Sequence, residues 1–106
     1  TGSNLDGVQI FGGDFTGSKL NGISGKQIFI LESNFNNTNM NDFDIRETWI
    51  QSTSFKNVQM TNGIFDSITF IDTHFLGTDL EGTNIMNLNE VGDNTYDCKN
   101  NSICRR

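Results

Sequence analysis

An apolar residue returns at every fifth position from Leu5 to Ile85, interrupted only at Gly25. This series constrains the fold more than any other feature of the chain. A period of five matches neither the 3.6-residue turn of an α-helix nor the two-residue alternation of a strand. It suits a solenoid in which five residues form one side of a coil and the chain bends before the next. Four sides close a coil of twenty residues, and the sequence shows that longer period too. Phe15, Phe35, Phe55 and Phe75 fall in one column, and Leu20, Met40, Met60 and Leu80 in a second. Ile10, Ile30, Ile50 and Phe70 make a third, and Leu5, Gly25, Ile45, Phe65 and Ile85 the fourth.

Side chains alternate along an extended segment, so the residue two before each central position also faces inward. Those slots hold mostly small or β-branched residues, such as Val8, Ile23, Thr38, Thr53, Ile68 and Thr78. Phe43 is the large exception, and column logic predicts that it fills the void left by Gly25. The corners call for a turn with positive φ, which Gly and Asn adopt at least cost. Gly7, Gly12, Gly17, Gly22, Asn37, Asn57, Asn62, Gly77, Gly82 and Asn87 stand where such a turn requires them. Gln27, Glu32, Glu47 and Ser52 do not suit it, so a different turn is expected in the middle coils.

The segments SerAsnLeuAspGly, ThrAspLeuGluGly and ThrAsnIleMetAsn resemble the pentapeptide-repeat motif, Ala-Asp/Asn-Leu-X-X. The resemblance implies an all-β, right-handed quadrilateral β-helix, here of about four coils with an irregular C-terminal cap. The chain departs from the motif in having no Ala, its slot being taken by Ser, Thr, Val and Ile. A somewhat wider or less regular coil is expected from that, and a divergent member of the family.

The expected organisation is a β-helix over residues 1–88 and a cap over residues 89–106. Glu90 takes the next central slot, where an unpaired carboxylate is costly to bury, so the repeat is expected to stop there. Val91, Tyr96 and Ile103 are expected to cover the last coil. Cys98 and Cys104, the two cysteines, lie within the cap. Their separation permits a disulfide that staples a segment lacking its own core, and two free thiols in a reducing compartment are the alternative. The compartment stays open between a bacterial cytoplasm and secretion, with a disulfide favouring an oxidising one.

No apolar run is long enough to span a bilayer, and no signal-peptide pattern is visible. The sequence starts at Thr1 and enters the repeat almost at once. An uncovered coil end exposes unpaired backbone and core, so upstream sequence, an upstream domain or a second copy is expected there.

For function, the residues flanking the Ile10 column draw attention. Phe11, Phe29, Leu31, Trp49 and Ile71 would form a contiguous exposed apolar patch, of the kind that marks contact surfaces. The competing reading packs them against another part of the same protein. The net charge of −6, without a basic track, disfavours direct nucleic-acid binding. Acidic pentapeptide-repeat rods include mimics of duplex DNA that bind DNA gyrase, and the resemblance brings that reading with it. Here, however, Lys19, Lys26, Arg46 and Lys56 interrupt the acidic residues.

The family also occurs in bacterial effectors of the HECT-like ubiquitin ligase type, where the β-helix holds substrate. Catalysis is disfavoured: Asp42 with Asp44 and Ser54 with His74 are the nearest candidate groups, and neither has the supporting partners a reaction needs. No catalytic, metal or cofactor site is expected. Asn34, Asn36, Asn37, Asn39, Asn41 and Asn57 are expected in hydrogen-bonded ladders along the stack. The sequence thus points to a non-enzymatic protein-binding or scaffolding repeat domain.

Overall fold

The computed structural model describes residues 3–105; Thr1 and Gly2, at the start of the expected first coil, and Arg106 lie outside the described residues. Among the described residues twelve short strands follow one another: β1 (Gln9–Phe11), β2 (Ser24–Lys26), β3 (Phe29–Leu31), β4 (Asp44–Arg46), β5 (Trp49–Gln51), β6 (Ser54–Lys56), β7 (Ile64–Asp66), β8 (Thr69–Ile71), β9 (His74–Asp79), β10 (Asn84–Met86), β11 (Asn89–Val91) and β12 (Thr95–Lys99). A 3-10 turn, Ser102–Arg105, closes the chain.

Every strand pair is parallel and joins residues one coil apart, as in Ile10 opposite Ile30 and Ile30 opposite Ile50. The strands stack into sheets of order β1-β3-β5-β8-β11, β10-β7-β4-β2 and β12-β9-β6. The fourth side is a ladder of single bridges, Lys19 to Asn39 to Gln59 to Asp79. The molecule is a four-sided parallel β-solenoid of about five turns. The sequence count of about four falls short because the pairing continues through β11, where Glu90 stands opposite Phe70, and β12. Glu90 is exposed at that end, so the carboxylate that reads as a stop signal is never buried.

The phenylalanine column is a single internal pile. Phe15, Phe35, Phe55 and Phe75 stack with centroids 4.8, 5.1 and 4.8 Å apart and planes within 8° of parallel. That spacing is the interstrand distance of about 4.8 Å, so ring stacking and the backbone ladder share one repeat. Tyr96 adds a fifth ring at 5.8 Å from Phe75. The inward threonines do not leave their hydroxyls unpaired, which would cost about 1–3 kcal/mol each. Thr38 Oγ1 donates to Phe35 O at 2.7 Å, and Thr73 Oγ1 to Ile50 O at 3.1 Å. Thr78 and Thr83 donate to Phe55 O and Met60 O of the coil before them.

Two expectations about the backbone are corrected. Positive φ occurs at every corner from Gly7 to Gly92, including Gln27 at 57°, Glu32 at 52°, Glu47 at 50° and Ser52 at 52°. The middle coils therefore keep one turn geometry, and the regular stack overrides the local preference of those four residues. Phe43 does not fill a void at Gly25. Its ring lies against Gly63, where an added Cβ would meet ring atoms at 2.2 to 2.4 Å, and it contacts Phe65 at 4.6 Å. Gly25 keeps its register with Ile45. A Cβ there would lie 2.9 Å from Ile28 Cδ1 and 3.0 Å from the Leu5 carbonyl carbon.

The two ends differ. At the first coil Leu5, Ile10, Phe15 and Leu20 are only half-buried, and a hollow of about 280 Å³ opens among them and reaches Ile45. The opposite end is partly covered. Ile103 is buried, and Asn101 Nδ2 donates to the Leu80 and Thr83 carbonyls at 3.2 and 2.9 Å. Cys98 and Cys104 are joined by a disulfide with Cα atoms 5.1 Å apart. Val91 takes no part in this closure: it is 52% exposed on the outer side of β11.

Candidate functional site

Outward positions of β1, β3, β5, β8 and β11 form two columns on one face. Strand register places Gln9, Phe29, Trp49, Thr69 and Asn89 in the first, and Phe11, Leu31, Gln51, Ile71 and Val91 in the second. Phe11, Phe29, Leu31, Trp49 and Ile71 are therefore all brought onto a single surface. Val91 extends it by one storey, a contribution hidden in the sequence by the apparent end of the repeat.

The aromatic residues touch one another. Phe29 and Trp49 stack at 5.9 Å with planes 7° apart, and Phe11 lies 5.8 Å from Phe29 at a 49° tilt. Phe11 remains 60% exposed and Trp49 39%. Trp49 Nε1 donates to Gln51 Oε1 at 3.0 Å, so the indole is held along its own strand. Phe29 covers one indole face, and the other looks toward the small side chain of Thr69. A groove on this side is lined by Gln27, Phe29, Glu47, Trp49, Ser67 and Thr69, among others.

The charge around this face is one-signed. Its strands and flanking corners carry exposed Glu32, Glu47, Asp72 and Glu90, and neither Lys nor Arg. Cationic residues lie on other sides. Arg46, on β4, forks onto Asp44 through Nε at 2.7 Å and Nη2 at 3.3 Å, and approaches Asp66 at 3.8 Å. The hydrogen bond and the charge of Asp44 raise the Arg46 pKa further above its ordinary value. Asp66 is held below the usual carboxylate range chiefly because Asn87 Nδ2 donates to it at 2.8 Å.

The groups weighed for catalysis are not assembled into a reacting set. Asp42 occupies a corner with φ of 60°, away from the strand position of Asp44, whose carboxylate is engaged by Arg46. Ser54 Oγ donates to Asn36 Oδ1 at 2.7 Å, while His74 Nδ1 lies 3.0 Å from Thr95 Oγ1. Although Ser54 and His74 are opposite one another on β6 and β9, each side chain is committed elsewhere. Among the described residues there is no group of three or more His, Cys, Asp or Glu placed to hold a metal ion. No helix among them is long and apolar enough to cross a membrane.

Several asparagines do form rungs between coils. Asn36 Oδ1 accepts from Lys56 N at 2.9 Å, Asn21 Oδ1 from Asn41 N at 2.9 Å, and Asn41 Oδ1 from Thr61 N at 3.1 Å. These amides brace the outer corners rather than present a polar site.

No family model matches the chain, and no curated protein matches it in sequence. Solved structures of similar form include a trypsin-treated variant of QnrB1, a plasmid-mediated fluoroquinolone resistance protein. The TM-score is 0.43 at 18% identity, with 83% of this chain and 45% of that chain covered. Rfr23, a pentapeptide repeat protein from the cyanobacterium Cyanothece 51142, gives a TM-score of 0.37 at 12% identity over 92% of this chain and 87% of its own. Full-length QnrB1 gives 0.30 at 12% identity over 89% and 61% respectively. The chain spans less than two thirds of the length of either QnrB1 chain.

Proposed function

We propose that the chain is a non-enzymatic recognition module, and that the outer face of β1, β3, β5, β8 and β11 docks a protein whose contact surface is apolar at its centre and basic at its rim. The observation that carries this reading is the continuous file of Phe11, Phe29 and Trp49 in ring contact on one sheet face, with Phe11 and Trp49 exposed and Phe29 partly so between them. Aromatic side chains with few rotatable bonds lose little entropy on contact, which is why they dominate binding hot spots.

Size and charge support the same partner. Five strands of three residues cover roughly 20 Å by 10 Å at ordinary strand spacings, the core of an interface rather than its whole extent. A stable contact of about 800 Å² per partner must therefore reach the corners, where Glu32, Glu47 and Asp72 would meet the partner's rim. Complementary basic groups there would speed association and exclude acidic competitors.

The test is co-purification of the full chain with its partner, comparing the native protein with Phe29→Asp plus Trp49→Asp. Leu76→Asp plus Met86→Asp, on the other sides, serves as the control. Loss of one protein from the first variant alone, with circular dichroism unchanged, is expected. Equal recovery from all three would overturn the proposal.

A further inference from the structure

We infer that the groove beside Trp49 is an arginine subsite: the partner's guanidinium stacks on the open indole face and its charge is taken by Glu47. This deepens the reading of the outer face as a protein-docking surface and rests on it.

Three features of the groove converge. First, the indole is presented rather than merely exposed. The bond from Nε1 to Gln51 Oε1 at 3.0 Å fixes its orientation, and Phe29, parallel to within 7°, backs one face. The remaining face stands above Thr69, whose short side chain leaves a slot where a third ring would continue the file. Second, the slot is bounded by acceptors. Gln27, Glu47 and Ser67 line it, and no Lys or Arg is among the described residues that do. Third, the Glu47 carboxylate is exposed, and among the described residues no ion pair or side-chain hydrogen bond engages it. This contrasts with Asp44 and Asp66, whose carboxylates Arg46 reaches from within the chain.

A flat aromatic face and an unengaged carboxylate in one groove select for a planar cation. Guanidinium fits both requirements, because it stacks on an aromatic ring while its edge N–H groups bond a carboxylate. An ammonium offers charge but no plane to stack, and a neutral planar group offers no charge. The subsite thereby gives the docking face an anchor with direction, which a purely apolar patch lacks. The corner position helps: Glu47 sits at φ 50°, in the regular turn of the solenoid, so its side chain starts from a backbone fixed by the stack.

Trp49 is the single tryptophan of the chain, so its emission reports the subsite directly. The protein is titrated with the blocked tripeptide acetyl-Leu-Arg-Leu-amide, and with versions carrying lysine or citrulline instead. A saturable change with the arginine peptide is expected, with binding at least about threefold weaker for lysine and lost for citrulline. Glu47→Gln should weaken the arginine peptide about fivefold or more, and added salt should weaken it further. No saturable response, equal response to citrulline, or an unchanged Glu47→Gln would overturn the subsite. The docking reading is scored separately with the co-purified partner. If the peptides fail while Phe29→Asp plus Trp49→Asp still removes the partner, the subsite falls and the docking face stands. If that variant leaves recovery unchanged, the docking face falls, and the subsite as an anchor for a partner falls with it.

Discussion

Gly63→Ala should destabilise the protein, although Gly to Ala at a position without positive φ ordinarily does the opposite. Gly63 has no positive φ, so alanine meets no backbone strain there. Reducing unfolded-state entropy alone would favour the variant by about 0.4–1 kcal/mol. The opposing effect is steric. A Cβ at Gly63 would lie 2.2, 2.4 and 2.4 Å from Cε1, Cδ1 and Cζ of Phe43, well inside contact distance. The ring has little room to retreat, since Phe43 is 1% exposed and packs on Phe65 at 4.6 Å. Overpacking of this kind costs about 1–3 kcal/mol, so a net loss of roughly 1–2 kcal/mol is expected after the entropic gain. For a chain of this size that lowers Tm by about 5–10 °C.

The assay is thermal unfolding followed by circular dichroism on a double-mutant cycle with Phe43→Leu. The shorter side chain removes the ring atoms that the new methyl would meet, so Gly63→Ala should be neutral or favourable in that background. The interaction energy should then be about 1–3 kcal/mol. A Gly63→Ala variant as stable as the native protein, or an equal penalty in both backgrounds, would refute the packing argument.

Three further outcomes follow from the coil geometry. Ser52 adopts φ of 52° with a side chain that offers no special tolerance of it, so Ser52→Gly should raise stability by up to about 1 kcal/mol in thermal unfolding; Asn57→Gly should gain less, because Asn already accommodates that region. Asp79 is held below its ordinary value of 3.8, chiefly by Asn100 Nδ2 donating at 3.0 Å and then by the Glu81 backbone N–H. A folded-state pKa lowered in this way contributes stability above the ordinary value and loses it as pH falls through the lowered one. Tm should therefore drop more steeply below about pH 4 in the native protein than in Asp79→Asn. Replacing both Cys98 and Cys104 by Ser opens a cross-link of sequence separation 6, worth about 2 kcal/mol by loop closure. Hydrogen exchange should locate the loosening around Ile103 and leave the Phe35 and Phe55 coils protected.

What the sequence makes legible is whatever repeats. The pile of Phe15, Phe35, Phe55 and Phe75 follows from a twenty-residue period, because a solenoid converts sequence distance directly into stacking. The same translation places Phe29 beside Trp49 and Phe11 beside Leu31, so most of the candidate face can be read without coordinates. The departures occur where one storey dictates to another. Gln27, Glu32, Glu47 and Ser52 look wrong for a positive-φ corner taken singly, yet the corners above and below them hold the backbone in it. Phe43 lies one coil from Gly25 and one coil from Gly63, and the column spacing alone does not say which glycine receives its ring. Val91 was hidden because Glu90 reads as a stop, whereas an inward slot at an open end remains wet. The bond from Trp49 to Gln51 joins two outward side chains of one strand, and no period encodes it.

The most direct test of the docking face is a chemical-shift map of the isotope-labelled chain, collected while the purified partner is added. Perturbed resonances should concentrate on Phe11, Phe29, Leu31, Trp49 and Ile71 and on the corners at Glu32 and Glu47. Perturbations confined to the Arg46 side, to the Leu76 side or to either end of the solenoid, with those residues unmoved, would contradict it.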